Sequence, residues 1–376
     1  MERDEARGRP RIGVVGLRRG LHLAEHCPRV GLEVVAACDL DPAARAQAAP
    51  SLPGAVVAER WQDLLDADLD GVILANDFDA HAEPAVAFLE RGVHVLSETA
   101  ACAGVEEGRC LIAAADASAA TYSFAENFVF HPHVRLLRAA VDAGEIGRPV
   151  LVEADYLHGM APEAVDALVG DPAHWRGRIA ATAYCTHTLS PVLALTGARP
   201  LDVAAHTVDG DRPGSAAVLV VRLSTGALAV TRHGFLQGEP DSHWSWISAR
   251  GTRGLAESVR APGERSWSLR VRTEAWAAPG GEVRDEERVP PPLEVGGGTV
   301  QRADEGTVLV LERFRATVAD GAPPAVGVRA AVAASLVGVL GAESLAKGSA
   351  PVPVPDFGAD TGSEPGFDPD TDSAVG

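Results

Sequence analysis

The sequence is poor in cysteine, and its cysteines show no spacing that suggests a bridge or a metal. The five cysteines are an odd number with no Cys-x-x-Cys pair, and three of them lie in apolar or alanine-rich surroundings. Such surroundings are typical of reduced, buried thiols. The sequence therefore predicts neither a disulfide framework nor a zinc knuckle.

Positive charge is also scarce. Lysine and arginine total 33 against 52 aspartate and glutamate residues, which gives a formal net charge of −19. A negative field repels polyanions, so the composition argues against nucleic acid and anionic membranes as partners.

Long apolar runs are missing. The longest, Ala330 to Gly341, is too short to cross a bilayer. Residues Met1 to Arg11 are charged and lack the apolar segment of a secretory signal. We therefore expect a cytoplasmic protein that does not enter a membrane.

What is present is enough apolar material for two ordinary domains, since 46% of the 376 residues are hydrophobic. In the N-terminal third, short apolar runs alternate with helical patterns. Strict alternation of this kind predicts an α/β domain of the Rossmann type, with a doubly wound parallel sheet, over residues 11–130. The predicted strands are Arg11–Gly16, Leu32–Cys38, Gly71–Ala75 and His94–Leu96, and the predicted helices are Leu21–His26, Trp61–Leu65, Ala80–Arg91 and Val105–Ala120.

After residue 150 the runs become longer and alternate, which predicts an α+β domain over residues 131–355 built on a mainly antiparallel sheet with one open face. The alternating runs have no predicted helices between them, and the next predicted helices are 305–318 and 328–346. The helix 328–346 is a candidate to pack back on the Rossmann domain. The open face favours a homo-dimer or homo-tetramer. Residues 1–10 are expected to be flexible, and the acidic tail 356–376 is expected to be disordered.

The turn after the first strand resembles a dinucleotide fingerprint. Gly16 and Gly20 allow the backbone to approach a pyrophosphate, and Asp39 follows the second strand where an acid holds ribose hydroxyls. Arg18 replaces the usual middle glycine, and Arg18 or Arg19 can meet phosphate charge instead. Because Asp39 would repel a 2′-phosphate, the pattern favours NAD over NADP.

Residues 184–191, Tyr-Cys-Thr-His-Thr-Leu-Ser-Pro, place a phenol and an imidazole three positions apart. In a helix, Tyr184 and His187 would share one face. Alternatively, Ser190 caps a helix that begins at Pro191. Both side chains are proton carriers of the kind that acid–base chemistry on hydroxyl groups requires, although a buried Tyr and His with backbone partners would also explain them.

From Arg11 to Phe357 the chain resembles the glucose-fructose oxidoreductase and inositol dehydrogenase (Gfo/Idh/MocA) superfamily. The landmarks are the glycine turn 16–20, Asp39, Asn76-Asp77-Phe78-Asp79-Ala80-His81, the run 92–98 ending in Glu98, Ala125-Glu126-Asn127, and the Val-Pro-Asp-Phe segment ending at Phe357. The resemblance implies a Rossmann domain, a nicotinamide cofactor and a sugar-like substrate.

One departure from that pattern is informative. Members typically have Glu-Lys-Pro where this chain has Glu98-Thr99-Ala100, and a threonine hydroxyl is no general base near neutral pH. The lysine-free pattern is similar to NAD-dependent glycosidases such as the α-N-acetylgalactosaminidases. It shares with them Glu98–Ala101, Glu126-Asn127, Trp175-Arg176 and the segment 184–191.

This resemblance implies roles residue by residue. Tyr184 and His187 are the candidate catalytic residues. The candidate cofactor residues are Gly16, Arg18, Arg19, Gly20, Asp39, Asn76, Asp77, His81, Glu98, Asn127, Trp175 and Arg176. Glu126, His158 and His243 are candidate substrate contacts, and no metal site is expected. Ala181–Ala183 and Ser190 differ from the glycosidase pattern, so the N-acetylhexosamine specificity does not carry over.

The implied reaction begins with transfer of a hydride to NAD⁺, at C3 of a sugar or glycoside. A ketone at C3 acidifies the C2 proton, so the C1 substituent can be eliminated and water added; such enzymes are exceptions to the two-carboxylate rule of glycosidases. One alternative is a plain NAD-dependent sugar or cyclitol dehydrogenase. Another is a family member that binds NAD and sugar without turnover.

Overall fold

The computed structural model describes residues 8–358 except 209, 211–213, 237, 239–242, 262 and 279. The chain forms two compact units. The first unit comprises Met1–Asn127 and Leu293–Val332, and the second comprises Phe128–Pro292 and Ala333–Gly376. Most of the expected flexible N-terminus and most of the expected acidic tail, 1–7 and 359–376, lie outside the described residues.

The first unit contains a six-stranded sheet in the order β3-β2-β1-β4-β5-β6, in which all neighbours are parallel. The apolar residues of its central strands β1 and β4, such as Val14 and Ile73, are fully buried, as expected for strands covered on both faces, whereas Val56 on the edge strand β3 is exposed. The doubly wound prediction is confirmed. The strands are β1 (Arg11–Val15), β2 (Glu33–Cys38), β3 (Val56–Ala58), β4 (Gly71–Leu74), β5 (His94–Ser97) and β6 (Tyr122–Phe124).

Helices connect these strands. They are α1 (Arg19–His26), α2 (Pro42–Ala48), α3 (Ala82–Glu90) and α4 (Val105–Ala117). The α2 helix is not among the predicted helices, although Pro42 stands at its first turn and the Asp41 carboxylate accepts the Ala43 N–H. The segment predicted as a helix at Trp61–Leu65 is a short 3₁₀ turn, Trp61–Leu64.

A late segment of the chain completes the first unit. Its helix α9 (Glu305–Asp320) packs the Phe314 ring against Gly71. A Cβ built on Gly71 would lie 2.8 Å from Phe314 Cζ, so a side chain there would clash with the ring. The Phe124 N–H also donates to the Val326 carbonyl. The structure therefore groups residues 293–332 with the first unit, whereas the sequence predicts one continuous domain over 131–355. Because this contact joins residues that are far apart in sequence, no local pattern predicts it.

The second unit contains a nine-stranded sheet in the order β14-β13-β12-β11-β7-β10-β9-β8-β17. Its strand pairs are antiparallel except β7 with β10, so the prediction of a mainly antiparallel sheet is confirmed. The self-association expected for this sheet stays a prediction. The strands are β7 (Pro149–His158), β8 (Pro200–Thr207), β9 (Ala217–Leu223), β10 (Leu228–Phe235), β11 (Trp244–Gly251), β12 (Gly254–Val259), β13 (Ser268–Thr273), β14 (Arg284–Arg288) and β17 (Val352–Pro353); β15 (Glu294–Val295) and β16 (Gly298–Thr299) form a separate hairpin in the first unit.

A parallel pair of strands cannot be joined by a tight turn, so a crossover must connect β7 with β10. That crossover carries two helices that the sequence does not predict, α6 (Pro162–Val169) and α7 (Trp175–Arg178), followed by α8 (Thr186–Thr196), for which the sequence left two starts open. The unpredicted helix α5 (Pro132–Asp142) precedes β7. Their shortness and their glycines and prolines hide the helical period.

The last helix, α10 (Val328–Ala346), has the predicted bounds, and the division between the two units falls within it. Among the described residues it is the one helix that is long and apolar enough to cross a membrane by length and composition. Most of it is buried in the structure, and residues such as Ala331, Leu336 and Val337 are fully inaccessible, which is common for a core helix.

We expect Phe314→Ala to lower the free energy of unfolding by about 3–5 kcal/mol, because it leaves a cavity over Gly71. Urea unfolding followed by circular dichroism measures this. Trp276→Ala is the control, since Trp276 is 74% exposed, and it should change stability by less than about 0.5 kcal/mol. Equal stabilities of the two variants would contradict the packing described.

Candidate functional site

The turn between β1 and α1 leaves no room for a side chain. Gly16 has φ +85°, and an ideal Cβ there would lie 2.4 Å from the Ala75 carbonyl oxygen. A Cβ on Gly20 would lie 2.9 Å from Val14 Cγ1. Because α1 begins immediately after this turn, its first backbone amides face the end of the sheet, which is the arrangement that binds a pyrophosphate. The two glycines therefore fit a dinucleotide.

Asp39 ties this turn to the end of β2. Its Oδ2 accepts the Leu17 N–H at 2.7 Å, and its Oδ1 accepts the Asp41 N–H at 2.8 Å. An ionised carboxylate has about four acceptor positions, so capacity for ribose hydroxyls remains. The structure thus adds a structural role to the cofactor role predicted for Asp39.

The two arginines of the turn differ. Arg19 Nε donates to Glu98 Oε1 at 2.8 Å, and Glu98 is buried. Arg18 is largely exposed and pairs with Asp41 at 3.2 Å. The structure therefore brings together Arg19 and Glu98 from the predicted cofactor set and leaves Arg18 at the surface.

His81 supports the segment that contains Glu98. Its Nδ1 donates to the Ala100 carbonyl at 2.9 Å, and burial lowers the pKa of the imidazole, so it is neutral. Asn76 Nδ2 donates to the Ala80 carbonyl at 2.8 Å and closes the loop before α3. Asp77 lies in that same loop. Glu126, which is buried, and Asn127 follow β6.

The second unit contains a cavity of about 230 Å³ beside the start of α8. It is walled by aromatic rings, aliphatic side chains and neutral polar groups, and among the described residues Arg176 is the charged one in its lining. The lining residues are Tyr156, His158, Met160, Leu168, Val169, Trp175, Arg176, Ile179, Ala180, Ala181, Tyr184, Gly214, Ser215, His233, Gly234 and Phe235. The structure thus places four of the predicted site residues, His158, Trp175, Arg176 and Tyr184, in one cavity.

The α8 helix begins at Thr186, with Cys185 as its N-cap, and Pro191 lies inside it. The start predicted at Pro191 is wrong, and the helix face that Tyr184 and His187 were predicted to share does not form, because Tyr184 lies before the N-cap. In the first turn the Leu189 N–H and the Thr188 hydroxyl donate to the Cys185 carbonyl. Tyr184 consequently stands just before the helix and His187 stands in its first turn.

Tyr184 and His187 meet edge to face, with ring centroids 5.1 Å apart. His187 is buried, stacks on Phe128 at 4.3 Å and contacts the Tyr156 ring at 4.9 Å. Tyr184 lies nearly parallel to Tyr156 at 5.6 Å and to Trp175 at 6.1 Å. An aromatic cluster therefore positions both side chains, of which Tyr184 lines the cavity and His187 is not among its lining residues.

The sequence does not identify Tyr156 as a site residue. Tyr156 lies on β7 directly opposite His233 of β10, and α8 packs against both strands. Only the parallel register brings these residues beside Tyr184. The local signal is that Tyr156 and His158, two positions apart on β7, point to the same face of the sheet.

Burial holds the histidines of this cavity neutral. It lowers the pKa of His158, and it lowers the pKa of His233 to about 4 although the Ala181 carbonyl accepts from His233 Nε2 at 2.9 Å. The Arg176 guanidinium lies 4.1 Å above the Trp175 ring, a cation–π contact. The described lining of the cavity therefore combines flat apolar faces, neutral hydrogen-bonding groups and the Arg176 cation.

His243, predicted as a substrate contact, belongs to another network. Its Nδ1 donates to Asp155 at 2.8 Å, and Asp155, which is buried, also receives both Nε and Nη2 of Arg232 at 2.6 and 2.7 Å. His243 stacks on Trp246 and does not line the cavity. Its predicted contact with the substrate is not supported by this geometry.

Two family models match the chain. Residues 11–126 match an oxidoreductase family with an NAD-binding Rossmann fold, and residues 134–257 match the GFO/IDH/MocA C-terminal domain. Among curated relatives, a glycosyl hydrolase family 109 protein of Shewanella woodyi is 26% identical over 197 residues, which are 48% of this chain and 42% of that protein. A family 109 protein of Stenotrophomonas maltophilia is 30% identical over 182 residues, 44% of this chain and 40% of that protein. The matched segments thus span less than half the length of these relatives.

Solved structures share the fold over nearly the whole chain. Levoglucosan dehydrogenase in complex with NADH and levoglucosan superposes with a TM-score of 0.78 at 18% identity and covers 92% of this chain and 100% of that one. The myo-inositol 2-dehydrogenase of Lactobacillus plantarum has a TM-score of 0.72 at 18% identity and covers 92% and 99%. The predicted fold and the predicted cofactor, NAD, are confirmed by these comparisons together with the family models.

We expect Gly16→Ala to weaken NAD binding by at least about tenfold, because its Cβ would displace the backbone that approaches the pyrophosphate. Calorimetric titration with NAD⁺ measures the affinity. Gly54→Ala is the matched control, since Gly54 also has φ +85° but a Cβ there meets nothing within 4 Å. If Gly16→Ala bound NAD⁺ as tightly as Gly54→Ala, the assignment of the turn would be wrong.

We expect His233 to make folding stability depend on pH. Its pKa in the folded protein is about 4, below the ordinary 6.5, so the unfolded chain binds the proton first. The contribution is complete above pH 6.5 and is lost as the pH falls towards 4, at about 1.4 kcal/mol per pH unit. Urea unfolding at several pH values should give a shallower acid slope for His233→Gln, while His206→Gln, at an exposed position, keeps the wild-type slope. Equal slopes for all three proteins would contradict this.

Proposed function

Because the chain belongs to the GFO/IDH/MocA family of NAD-binding oxidoreductases, we propose that it oxidises a hydroxyl group of a sugar or glycoside at C3 and that Tyr184 and His187 carry the protons. The observation that carries this proposal is the contact of these two rings beside the cavity of the second unit, 5.1 Å apart. The first unit supplies the dinucleotide turn.

The fit to NAD rests on the turn itself. Gly16 and Gly20 leave the backbone bare at the start of α1, and Asp39 is oriented by two backbone N–H groups. The pyrophosphate would lie against the first amides of α1, and the Asp39 carboxylate would accept ribose hydroxyls. When bound, NAD⁺ supplies a hydride acceptor that can also return the hydride.

The cavity suits a neutral sugar ring. Tyr156, Trp175 and Tyr184 offer aromatic faces for the apolar face of a pyranose. His158, kept neutral by burial, can donate or accept a hydrogen bond to a hydroxyl group, and neutral His233, whose Nε2–H is donated to the Ala181 carbonyl, can accept one at Nδ1. Arg176 adds a cation, which binds hydroxyl or carbonyl oxygens by charge-assisted hydrogen bonds.

Proton chemistry would fall to Tyr184 and His187. The imidazole can accept a proton from the C3 hydroxyl as the hydride leaves, because histidine is the side chain whose pKa is ordinarily closest to neutrality. The neighbouring phenol can hold or relay a proton at the same edge of the cavity. The single lysine of the chain is Lys347, far in sequence from the Glu98-Thr99-Ala100 segment, so the lysine usual in this family has no equivalent at that segment.

Redox-neutral glycoside cleavage is the finer part of the proposal. A C3 ketone makes the C2 proton acidic, so removal of that proton expels the C1 substituent and leaves a conjugated enone. Water then adds at C1, and return of the hydride to C3 restores the alcohol. The absence of lysine at position 99 and the names of the curated relatives support this reading.

A plain NAD-dependent sugar dehydrogenase is the second candidate. It is supported by fold neighbours that include levoglucosan dehydrogenase and myo-inositol 2-dehydrogenase. It requires the same proton acceptor and no chemistry at C1 or C2. A protein that binds NAD and sugar without turnover is the third, since Ala181–Ala183 depart from the glycosidase pattern.

One experiment separates the three. The protein is incubated with NAD⁺ and a panel of glycosides in deuterated water, and aglycone release, nicotinamide absorbance and deuterium at C2 are followed. Cleavage with C2 deuterium and no net NADH is the expected result. NADH formed in proportion to substrate indicates a dehydrogenase, cleavage without C2 deuterium rules out the elimination, and NAD binding without either product indicates a binding protein.

We expect His187→Ala and Tyr184→Phe each to lower turnover by about 10²–10⁴-fold, which is the usual contribution of a positioned acid or base. Initial rates at saturating NAD⁺ measure the loss. His206→Ala, at an exposed position, and Tyr122→Phe, buried in the first unit, are the matched controls and should keep wild-type rates. Full activity in both site variants would overturn the assignment.

A further inference from the structure

Three metal-ligating side chains gather on the first unit, apart from the groups assigned to NAD and sugar. His22 and His26 lie one turn apart on α1, and Asp304 is the residue before α9. Asp304 Oδ1 lies 3.7 Å from His22 Nε2 and 3.8 Å from His26 Nε2, and the three ligand atoms all lie within 4.8 Å of one another. All three residues are partly exposed, so an ion can reach them from solvent.

The three groups converge without bonding to one another. Separations of 3.7 and 3.8 Å exceed hydrogen-bond length, so neither imidazole is a hydrogen-bond donor to the carboxylate. Asp304 occupies the N-cap of α9 but makes no side-chain capping bond, although aspartate is among the preferred caps. The carboxylate is therefore turned from its usual partner towards the two imidazoles.

The distances between the three ligand atoms are close to those between neighbouring ligand atoms in the coordination shell of zinc. Zinc–nitrogen and zinc–oxygen bonds of about 2.0–2.2 Å in tetrahedral geometry place neighbouring ligand atoms about 3.4 Å apart. Small rotations of the side chains would thus bring all three ligand atoms onto one ion. A set of two imidazoles and one carboxylate is typical of zinc and similar transition metals, whereas calcium and magnesium prefer oxygen ligands alone.

A neutral imidazole is the form that binds a metal, so zinc would compete with protons for His22 and His26. The His22 and His26 rings lie edge to face with centroids 4.9 Å apart.

We propose that His22, His26 and Asp304 form a binding site for a divalent transition metal such as Zn²⁺, with a fourth position left to water. The bound ion joins α1, which starts at the dinucleotide turn, to α9. Arg19 already links the same two helices through Thr307 at 3.4 Å. The sequence does not predict this site, because its histidine pair lies outside the motifs of the predicted cofactor and substrate sites and its third ligand comes from a distant part of the chain.

The test is a zinc titration of the chelator-treated full chain against a chromophoric chelator. We expect one equivalent of Zn²⁺ with a Kd in the micromolar range or tighter, and a higher Tm with Zn²⁺ than with Mg²⁺. His26→Gln and Asp304→Asn should each weaken zinc binding by at least about tenfold, while His206→Gln should bind as wild type. Wild-type affinity in His26→Gln and Asp304→Asn would overturn the proposal, as would the absence of zinc binding.

A second measurement needs no variant. X-ray absorption of the zinc-loaded wild type should show two imidazole ligands and oxygen neighbours. Sulfur in the shell would instead point to a cysteine such as Cys110, which is exposed, and would overturn the site. Neither experiment involves turnover of a sugar, so its result is independent of the proposed function.

Discussion

The close approach of the backbone at Gly16 is the constraint on which the first unit depends. The glycine passes within contact distance of the Ala75 carbonyl, so β1 and β4 can lie side by side while the chain turns into α1. Asp39 holds the same turn through the Leu17 N–H. The backbone at Gly16 therefore sets where α1 begins. It thereby also sets the positions of the first helix amides and of Arg19, His22 and His26 on α1.

The arrangement of the second unit depends on the parallel pairing of β7 with β10. Because parallel neighbours need a crossover, the chain must leave the sheet, form α6, α7 and α8, and return. The start of α8 is thereby brought against both strands. Tyr184 and His187 thus meet Tyr156 and His233 as a consequence of the topology, and the cavity forms where the crossover covers the sheet.

The histidines of the second unit differ in their hydrogen-bond partners. His158 and His233 face the cavity and are kept neutral by burial. His243, close in sequence to the same region, is instead paired with the buried Asp155, which also binds Arg232. The Nδ1–H of His243 is thus taken by a carboxylate, and His243 does not line the cavity.

Local chemistry allowed the sequence by itself to determine the glycine turn with Asp39, the strands β1, β2, β4 and β5 and the helices α1, α3 and α4 of the Rossmann part, and the bounds of α10. Each depends on residues that are neighbours in the chain, where steric and hydrogen-bonding rules act directly. The tertiary structure alone decided the return of 293–332 to the first unit, the helix start at Thr186, Tyr156 beside His233, and Asp304 beside His22 and His26. These pairings depend on strand register and helix packing between distant segments. No short stretch of sequence therefore predicts them.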